Sequence, residues 1–187
     1  MTSITKPLPQ LTLEEFLAQP ETKPASEYIN GIYQKPMPQG EHSILQGRLL
    51  AAINQVGIPD KIAHAFPELR CTFSGSAIVP DITVFEWQRI PRRPNGIIAN
   101  KFEIPPDWVI EILSPEQSAS RVINKITFCL KHGTKLGWFI EPKEESIMVF
   151  QPNQLPEVKY GYEQLPVLEV LGDWQLSVAD VFSWLEI

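Results

Sequence analysis

An apolar run interrupted by one carboxylate lies near the middle of the chain. It reads Asp107-Trp-Val-Ile-Glu-Ile-Leu-Ser-Pro115, with Glu111 at its centre. A short continuous apolar run is typical of a strand that is buried on both faces of a sheet. An ionised carboxylate in such a strand is costly unless a cation, a metal ion or a hydrogen-bond network pairs with it. The run therefore predicts a central strand whose Glu111 belongs to a polar site inside the fold.

The composition predicts one soluble domain. The chain has 187 residues, of which 43% are hydrophobic, and no apolar run is long enough to cross a membrane. Residues 1–11 are predicted to be a flexible arm and residues 12–187 a single domain. The first ten residues lack the apolar segment of a signal peptide, so we expect a cytoplasmic protein. A net charge of -6 argues against a broadly nucleic-acid-binding surface but leaves room for local basic patches.

Local patterns predict helices and strands along the whole chain. The predicted helices are Leu13–Ala18 behind a capping box at Thr12, Glu41–Val56, Ser120–His132 and a last one capped by Ser177. The predicted strands are a hairpin over 27–35 with Asn30-Gly31 as its turn, Leu69–Phe73, Ala77–Trp87, a second hairpin of Leu136–Glu141 and Ser146–Gln151, and part of Glu157–Val170. This order predicts an α/β (α+β) domain, in which a mixed sheet is flanked by helices.

A second carboxylate lies in a similar apolar setting. Asp81 follows Pro80 and stands at the start of another apolar stretch. If the two strands are neighbours, Asp81 and Glu111 converge on one divalent ion, because Mg²⁺ binds a couple of carboxylates together with water and phosphate. Lys125, on the helix that follows the central strand, would reach the same place and stabilise negative charge. The alternative is structural: Asp81 caps a turn and Glu111 forms a salt bridge with an arginine.

Basic residues cluster in the predicted loop 88–101. Arg89, Arg92 and Arg93 lie there without any acidic residue among them. Such a cluster predicts contacts with the phosphates of a nucleic acid. A solvated loop is the other interpretation.

Several of these motifs together resemble the Uma-two family of restriction endonucleases, which belongs to the PD-(D/E)XK nuclease superfamily. The resemblance covers roughly Leu11 to Trp184. The motifs that carry it are Glu27-Tyr-Ile-Asn-Gly31, Pro38-Gln-Gly-Glu-His42, Pro80-Asp81, Glu111-Ile-Leu-Ser-Pro115, Lys125, Gly133 and Trp138-Phe-Ile-Glu-Pro142.

The resemblance implies a restriction-endonuclease-like fold and a role for each matching residue. Asp81 and Glu111 match the metal-binding carboxylates, Glu27 matches an early glutamate that joins the metal site, and His42 matches an accessory polar position. The superfamily pattern has a lysine two residues after the glutamate, but position 113 is Leu. The resemblance implies that Lys125 takes over this role, with Arg121, one turn earlier on the same helix face, as the competing candidate.

The resulting functional hypothesis is an endonuclease that uses Mg²⁺ (or Mn²⁺) to hydrolyse phosphodiester bonds in DNA. One alternative is a catalytically inactive nucleic-acid-binding or interaction module on the same fold, which the Leu at 113 favours. Another is a metal-free hydrolase of sugars that uses Asp81 and Glu111 as acid and base. Nucleases of this type often work as dimers, so a homodimer is possible. In such a dimer, the apolar residues of the second hairpin would pack against the partner. The alternative is that they pack into the core of the chain itself.

Overall fold

The computed structural model describes residues 11–20, 22, 26–29, 32–34, 40–115 and 117–186, with the backbone alone described for 32–34. The helices of these residues are α1 (Leu13–Leu17), α2 (Gly40–Gly57), α3 (Ala119–Lys131) and α4 (Val178–Ser183). The strands are β1 (Glu27–Ile29), β2 (Ile32–Gln34), β3 (Ala63–Pro67), β4 (Cys71–Phe73), β5 (Ser76–Ile78), β6 (Ile82–Glu86), β7 (Trp108–Ile112), β8 (Leu136–Glu141), β9 (Ser146–Phe150) and β10 (Glu157–Tyr160). Residues 1–10 of the predicted arm lie outside the described residues, whereas the carbonyl of Leu11 accepts a hydrogen bond from the Tyr28 hydroxyl.

A six-stranded sheet forms the centre of the fold, with the strand order β10-β9-β8-β7-β6-β3. Its only parallel pair among the described strands is β7 with β8, and every other neighbouring pair is antiparallel. The parallel pair is joined by α3, because parallel neighbours need a long crossover connection. The predicted fold class, a mixed sheet flanked by helices, is confirmed.

The central strand β7 is buried along its whole length. Trp108, Ile110 and Ile112 point into the larger apolar core, beside buried residues of α2 and α4. Val109 points to the opposite core, which α3 covers. Successive side chains of a strand alternate between its two faces, so Glu111 lies on the α3 side with Val109. A strand covered on both faces explains the continuous apolar run in the sequence.

A smaller, four-stranded sheet has the order β2-β1-β5-β4. Its first hairpin pairs β1 with β2, and Ile29 lies opposite Ile32. The predicted turn residues Asn30 and Gly31 lie outside the described part of the chain. The capping box of α1 is present as predicted, with Thr12 and Glu15 bonded to each other.

The predicted strand Ala77–Trp87 is divided into two. β5 ends at Ile78 and β6 begins at Ile82, because Pro80 has no N–H to offer a ladder. The break sends β5 into the small sheet and β6 into the large one, so Asp81 lies at the junction of the two sheets. A short 3₁₀ turn at Trp87–Arg89 replaces the end of the predicted strand, and the edge strand β3 was not predicted.

The second hairpin, β8 and β9, packs into the chain's own core. The five apolar side chains of the hairpin that could have faced a partner are buried, namely Trp138, Phe139, Ile147, Val149 and Phe150. These five therefore offer no exposed surface to a partner. No helix in the described ranges is long and apolar enough to span a membrane.

A glycine allows α3 to lie close to β8. A side-chain Cβ at Gly137 would overlap the Cγ2 of Ile126 on α3. We expect Gly137→Ala to lower the free energy of unfolding by about 1–3 kcal/mol, as overpacking of a core does. Urea denaturation would measure this. Gly47→Ala is the matched control, because Gly47 lies in α2 with open space around it, and an unchanged or higher stability is expected there. Equal midpoints for Gly137→Ala and the wild type would contradict the close contact.

Candidate active site

Asp81 and Glu111 lie side by side at one end of the large sheet. In the antiparallel pair of β6 and β7, Ile82 is opposite Ile110. Asp81 directly precedes Ile82 and Glu111 directly follows Ile110, so the two residues are neighbours where the pairing ends. The Asp81 Oδ2 accepts a 2.7 Å hydrogen bond from the backbone N–H of Ile112. The structure thus brings together the two carboxylates that the sequence analysis singled out.

Lys125 lies between two buried glutamates. It is on the inward face of α3 with Val122 and Ile126, and only 4% of it is exposed. Its Nζ is 2.9 Å from Glu111 Oε2 and 2.7 Å from Glu27 Oε1. The predicted cation of the site is therefore in contact with the carboxylate of the central strand.

Glu27 is held from two sides. Its Oε1 accepts hydrogen bonds from Lys125 and from the backbone N–H of Val79, the latter at 2.7 Å. Glu27 belongs to β1 of the small sheet, and Val79 belongs to the connection between the two sheets. The sequence analysis expected Glu27 to join the metal site, whereas in the structure its described contacts hold the lysine.

Burial and neighbouring charges set the protonation of the cluster. Burial raises the pKa of Glu111 well above its usual range, Lys125 opposes that shift, and the negative charges of Asp81 and Glu27 add to it. Burial lowers the pKa of Lys125, but the charges of Glu111, Glu27 and Asp81 outweigh it and leave the pKa raised, so Lys125 stays charged. Three carboxylates face one ammonium, and the ionised cluster therefore carries an excess of negative charge.

His42 joins the cluster from α2. Its Nε2 lies 3.0 Å from Asp81 Oδ1, while its Nδ1 is buried without a hydrogen-bond partner among the described atoms. The imidazole is 5% exposed and forms part of the wall of a cavity. The Asp81 contact fixes the orientation of the ring, so the Nδ1 is left available to another group.

An open cavity of about 790 Å³ adjoins the cluster at His42. It lies between the start of α2, the segment after β7 and the turn between β8 and β9. Its lining residues are Gly40, Glu41, His42, Leu113, Ser114, Pro115, Glu141, Pro142 and Lys143. A concave space of this size beside buried titratable groups is the usual form of a binding site.

The competing cation Arg121 has a different environment. It lies four residues before Lys125 on α3 but is exposed. Leu113, at the position of the superfamily lysine, is half-buried and lines the cavity instead. Of the two candidate cations, only Lys125 is shown in contact with the carboxylates.

The three predicted nucleic-acid-binding arginines lie at the other end of the sheet. Arg89 follows the end of β6 and forms an ion pair with the fully buried Asp107, so part of its guanidinium is bound within the fold. The guanidinium of Arg92 lies over the ring of Trp87 at 5.4 Å, and Arg93 donates a 2.8 Å hydrogen bond to Asn100. Both of these arginines are exposed and keep donors for a further contact.

Two polar residues were missed by the sequence analysis. Gln46 donates a 2.8 Å hydrogen bond to the backbone carbonyl of Asp81. Its position four residues after His42 places both on one helix face, a signal present in the sequence. Asp107 was overlooked because its partners Arg89 and Lys135 are distant in the chain.

The cluster fits a hard divalent cation held by two carboxylates. In the described ranges, no group of three or more His, Cys, Asp and Glu residues is arranged to hold a metal ion by itself. The Oε1 of Glu111, however, is buried without a hydrogen-bond partner in the described part of the chain, and the charge of Asp81 is near enough to raise the pKa of Glu111. Carboxylate oxygens are the ligands that Mg²⁺ prefers, and it keeps several waters when only one or two are present.

A mixed sheet with two carboxylates at the ends of neighbouring strands and a buried lysine agrees with a nuclease-like fold. Residues 13–179 match the model of the Uma2 family, which is described as "Putative restriction endonuclease". The chain belongs to the Uma2 family.

A solved structure agrees with that membership. The chain is 54% identical to "a putative nuclease belonging to DUF820" from Anabaena variabilis, whose crystal structure superposes with a TM-score of 0.91. The match covers 94% of this chain and 99% of that one. No functionally curated protein matches the sequence.

Proposed function

We propose that this protein is an endonuclease that uses Mg²⁺ or Mn²⁺ to hydrolyse phosphodiester bonds in DNA. The observation that carries the proposal is the convergence of Asp81, Glu111 and the buried Lys125 beside an open cavity. Family membership supports the reaction class, because the family is described as restriction endonucleases.

In this proposal Asp81 and the Oε1 of Glu111 hold the metal. A divalent ion bound there would lower the pKa of a water ligand and polarise the scissile phosphate. Glu27 has a supporting role, since it positions the Lys125 ammonium against Glu111. Lys125 favours the ionised form of Glu111 despite its burial and screens negative charge that develops on the phosphate.

His42 is the proposed proton acceptor. Its Nε2–H donates to Asp81, so a neutral imidazole has its lone pair on Nδ1, the atom that has no partner in the described residues. This Nδ1 would accept the proton of the attacking water as the new P–O bond forms, and the leaving sugar oxygen would take a proton from solvent as its bond to phosphorus breaks. Arg92 and Arg93 contact phosphates away from the reacting one.

The second candidate function is a nucleic-acid-binding module without catalysis. Leu113 favours it, because the superfamily lysine is absent from its usual place. The sugar hydrolase is less well supported. Lys125 forms an ion pair with Glu111 Oε2, and that reaction gives the lysine no role.

Metal binding separates the two leading candidates. At a Mg²⁺ concentration about 100-fold above Kd, the thermal midpoint of the wild type is expected to rise by roughly 5–10 °C, because only the folded state binds the ion. Differential scanning calorimetry with Mg²⁺, Mn²⁺ and EDTA would measure the shift. Asp81→Ala should abolish it, whereas Asp173→Ala, an exposed control, should retain it. A wild type that binds DNA but shows no shift with either ion would favour the non-catalytic module.

A further inference from the structure

The basic segment after β6 is an ordered hairpin, although the sequence predicted a long loop. Arg92 pairs with Ile98 in an antiparallel bridge. The N–H of Arg93 donates to the carbonyl of Ile97 at 2.7 Å, and that of Gly96 donates to Arg93 at 2.9 Å. The turn needs Gly96, whose φ is +81°. We call residues 91–99 the basic hairpin.

Both ends of the basic hairpin are fixed to the core. Ile90 and Phe102 flank it and are only 4% and 2% exposed. The N–H of Thr72 donates a 2.8 Å hydrogen bond to the carbonyl of Phe102. At the base, Arg89 is paired with the buried Asp107. Because these anchors restrain its base, the hairpin loses little conformational freedom when its tip contacts a partner.

The tip presents an apolar side chain among basic ones. Ile97 is 58% exposed. Isolated exposed isoleucines are ordinary, but the next residue, Ile98, is exposed as well. Arg92, Arg93 and Lys101 lie in the same segment, and none of them forms an ion pair in the described part of the chain. No acidic residue occurs between Trp87 and Phe102. The charge of this surface is complementary to a polyanion.

We propose that the basic hairpin binds the minor groove of duplex DNA. Ile97 packs against a base-pair step, and the guanidinium groups of Arg92 and Arg93 donate to phosphates on its two sides, a combination that minor-groove proteins use. The inference rests on the proposed function only in taking DNA as the ligand.

The proposed DNA contact of the basic hairpin lies away from the carboxylates that are proposed to hold the metal. The hairpin follows the end of β6 that is opposite Asp81. A strand of five residues spans about 17 Å at ~3.4 Å per residue, which corresponds to roughly five base pairs of duplex. The basic hairpin should therefore govern binding of DNA and leave the rate of the bond-breaking step unchanged.

The test measures binding without cleavage. Fluorescence anisotropy with a labelled 30-base-pair duplex in EDTA gives Kd over a range of NaCl concentrations. The double variant Arg92→Ala/Arg93→Ala should reduce the slope of log K against log salt by about 1.8, the value for two phosphate contacts. Ile97→Ser should weaken binding about tenfold, as loss of one buried aliphatic contact does, with the slope unchanged.

Two control variants and a single-stranded DNA complete the binding test. Arg48→Ala and Leu155→Ser remove an exposed arginine and an exposed leucine elsewhere and should leave Kd unchanged. Hairpin variants that bind duplex as the wild type does, or a wild type that prefers a single-stranded 30-mer, would overturn the proposal. Because no metal is present, the hairpin result stands even if plasmid cleavage fails, and cleavage without any effect of the hairpin variants refutes the hairpin alone.

Discussion

Asp81→Ala is expected to lower metal-dependent nicking of plasmid DNA by about a thousandfold, the upper range for loss of one preorganised electrostatic group. The Asp81 carboxylate accepts hydrogen bonds from His42 and from the N–H of Ile112, and it is the more exposed of the two proposed metal ligands. Its removal would take away a ligand and the group that orients His42. The rate of supercoiled plasmid loss in Mg²⁺ measures the effect.

Two further variants show whether the charge of Asp81 matters. Asp81→Asn keeps the shape of the side chain and one acceptor oxygen, but it should be nearly as slow as Asp81→Ala because the negative charge is lost. Asp173→Ala should nick at the wild-type rate. If Asp81→Ala nicks as fast as the wild type, the activity belongs to a contaminant and the metal-site assignment fails.

Lys125→Met is expected to lower the free energy of unfolding by about 3–5 kcal/mol, the cost of leaving buried charges without their partner. Lys125 is the shared counter-ion of Glu27 and Glu111. Urea denaturation at pH 5 and at pH 8 would measure the loss. Arg121→Met is the control, because Arg121 is exposed on the same helix, and its stability should stay within about 0.5 kcal/mol of the wild type.

The loss should be larger at pH 8 than at pH 5. Burial already raises the pKa of Glu111, and the ammonium of Lys125 is the largest influence that lowers it. Without Lys125 the pKa rises further. A carboxyl whose folded pKa lies above its unfolded pKa costs stability as the pH rises from the unfolded value through the folded one. The double variant Glu27→Gln/Lys125→Met should recover part of the stability, and no recovery would contradict the shared ion pair.

The second prediction for Lys125 concerns the rate of DNA cleavage. At a temperature where it is folded, Lys125→Met should cleave about 10²–10³-fold more slowly than the wild type. Arg121→Met should cleave normally. If only Arg121→Met is slow, Arg121 is the catalytic cation. If both variants cleave at the wild-type rate, α3 is structural, and Lys125 has no part in the reaction.

Local signals in the sequence predicted much of the fold. The capping boxes at Thr12 and Ser177 are present at the starts of α1 and α4. The apolar run around Glu111 became the central strand because burial on both faces leaves a continuous pattern. The proximity of Asp81 and Glu111 was expected only if their strands are neighbours, a condition that the pairing of β6 with β7 meets.

The remaining features depend on contacts between distant parts of the chain. The ion pair of Arg89 with Asp107 joins residues that no local pattern relates, so the sequence alone did not indicate it. Glu27 faces Lys125 only because β1 joins β5 in a second sheet. The edge strand β3 was missed because its sequence, Ala-His-Ala-Phe-Pro, lacks a β-branched residue and ends in proline.

The position of Glu27 places the charged cluster at the junction of the two sheets. Its carboxylate joins a strand of the small sheet to Lys125 above the large one, and it also accepts the N–H of Val79. The amide hydrogen of Val79 can exchange with solvent only when its bond to Glu27 is broken, and we expect this to accompany opening of the charged cluster. Its protection therefore reports the integrity of the candidate active site from a backbone position that has no proposed part in the chemistry.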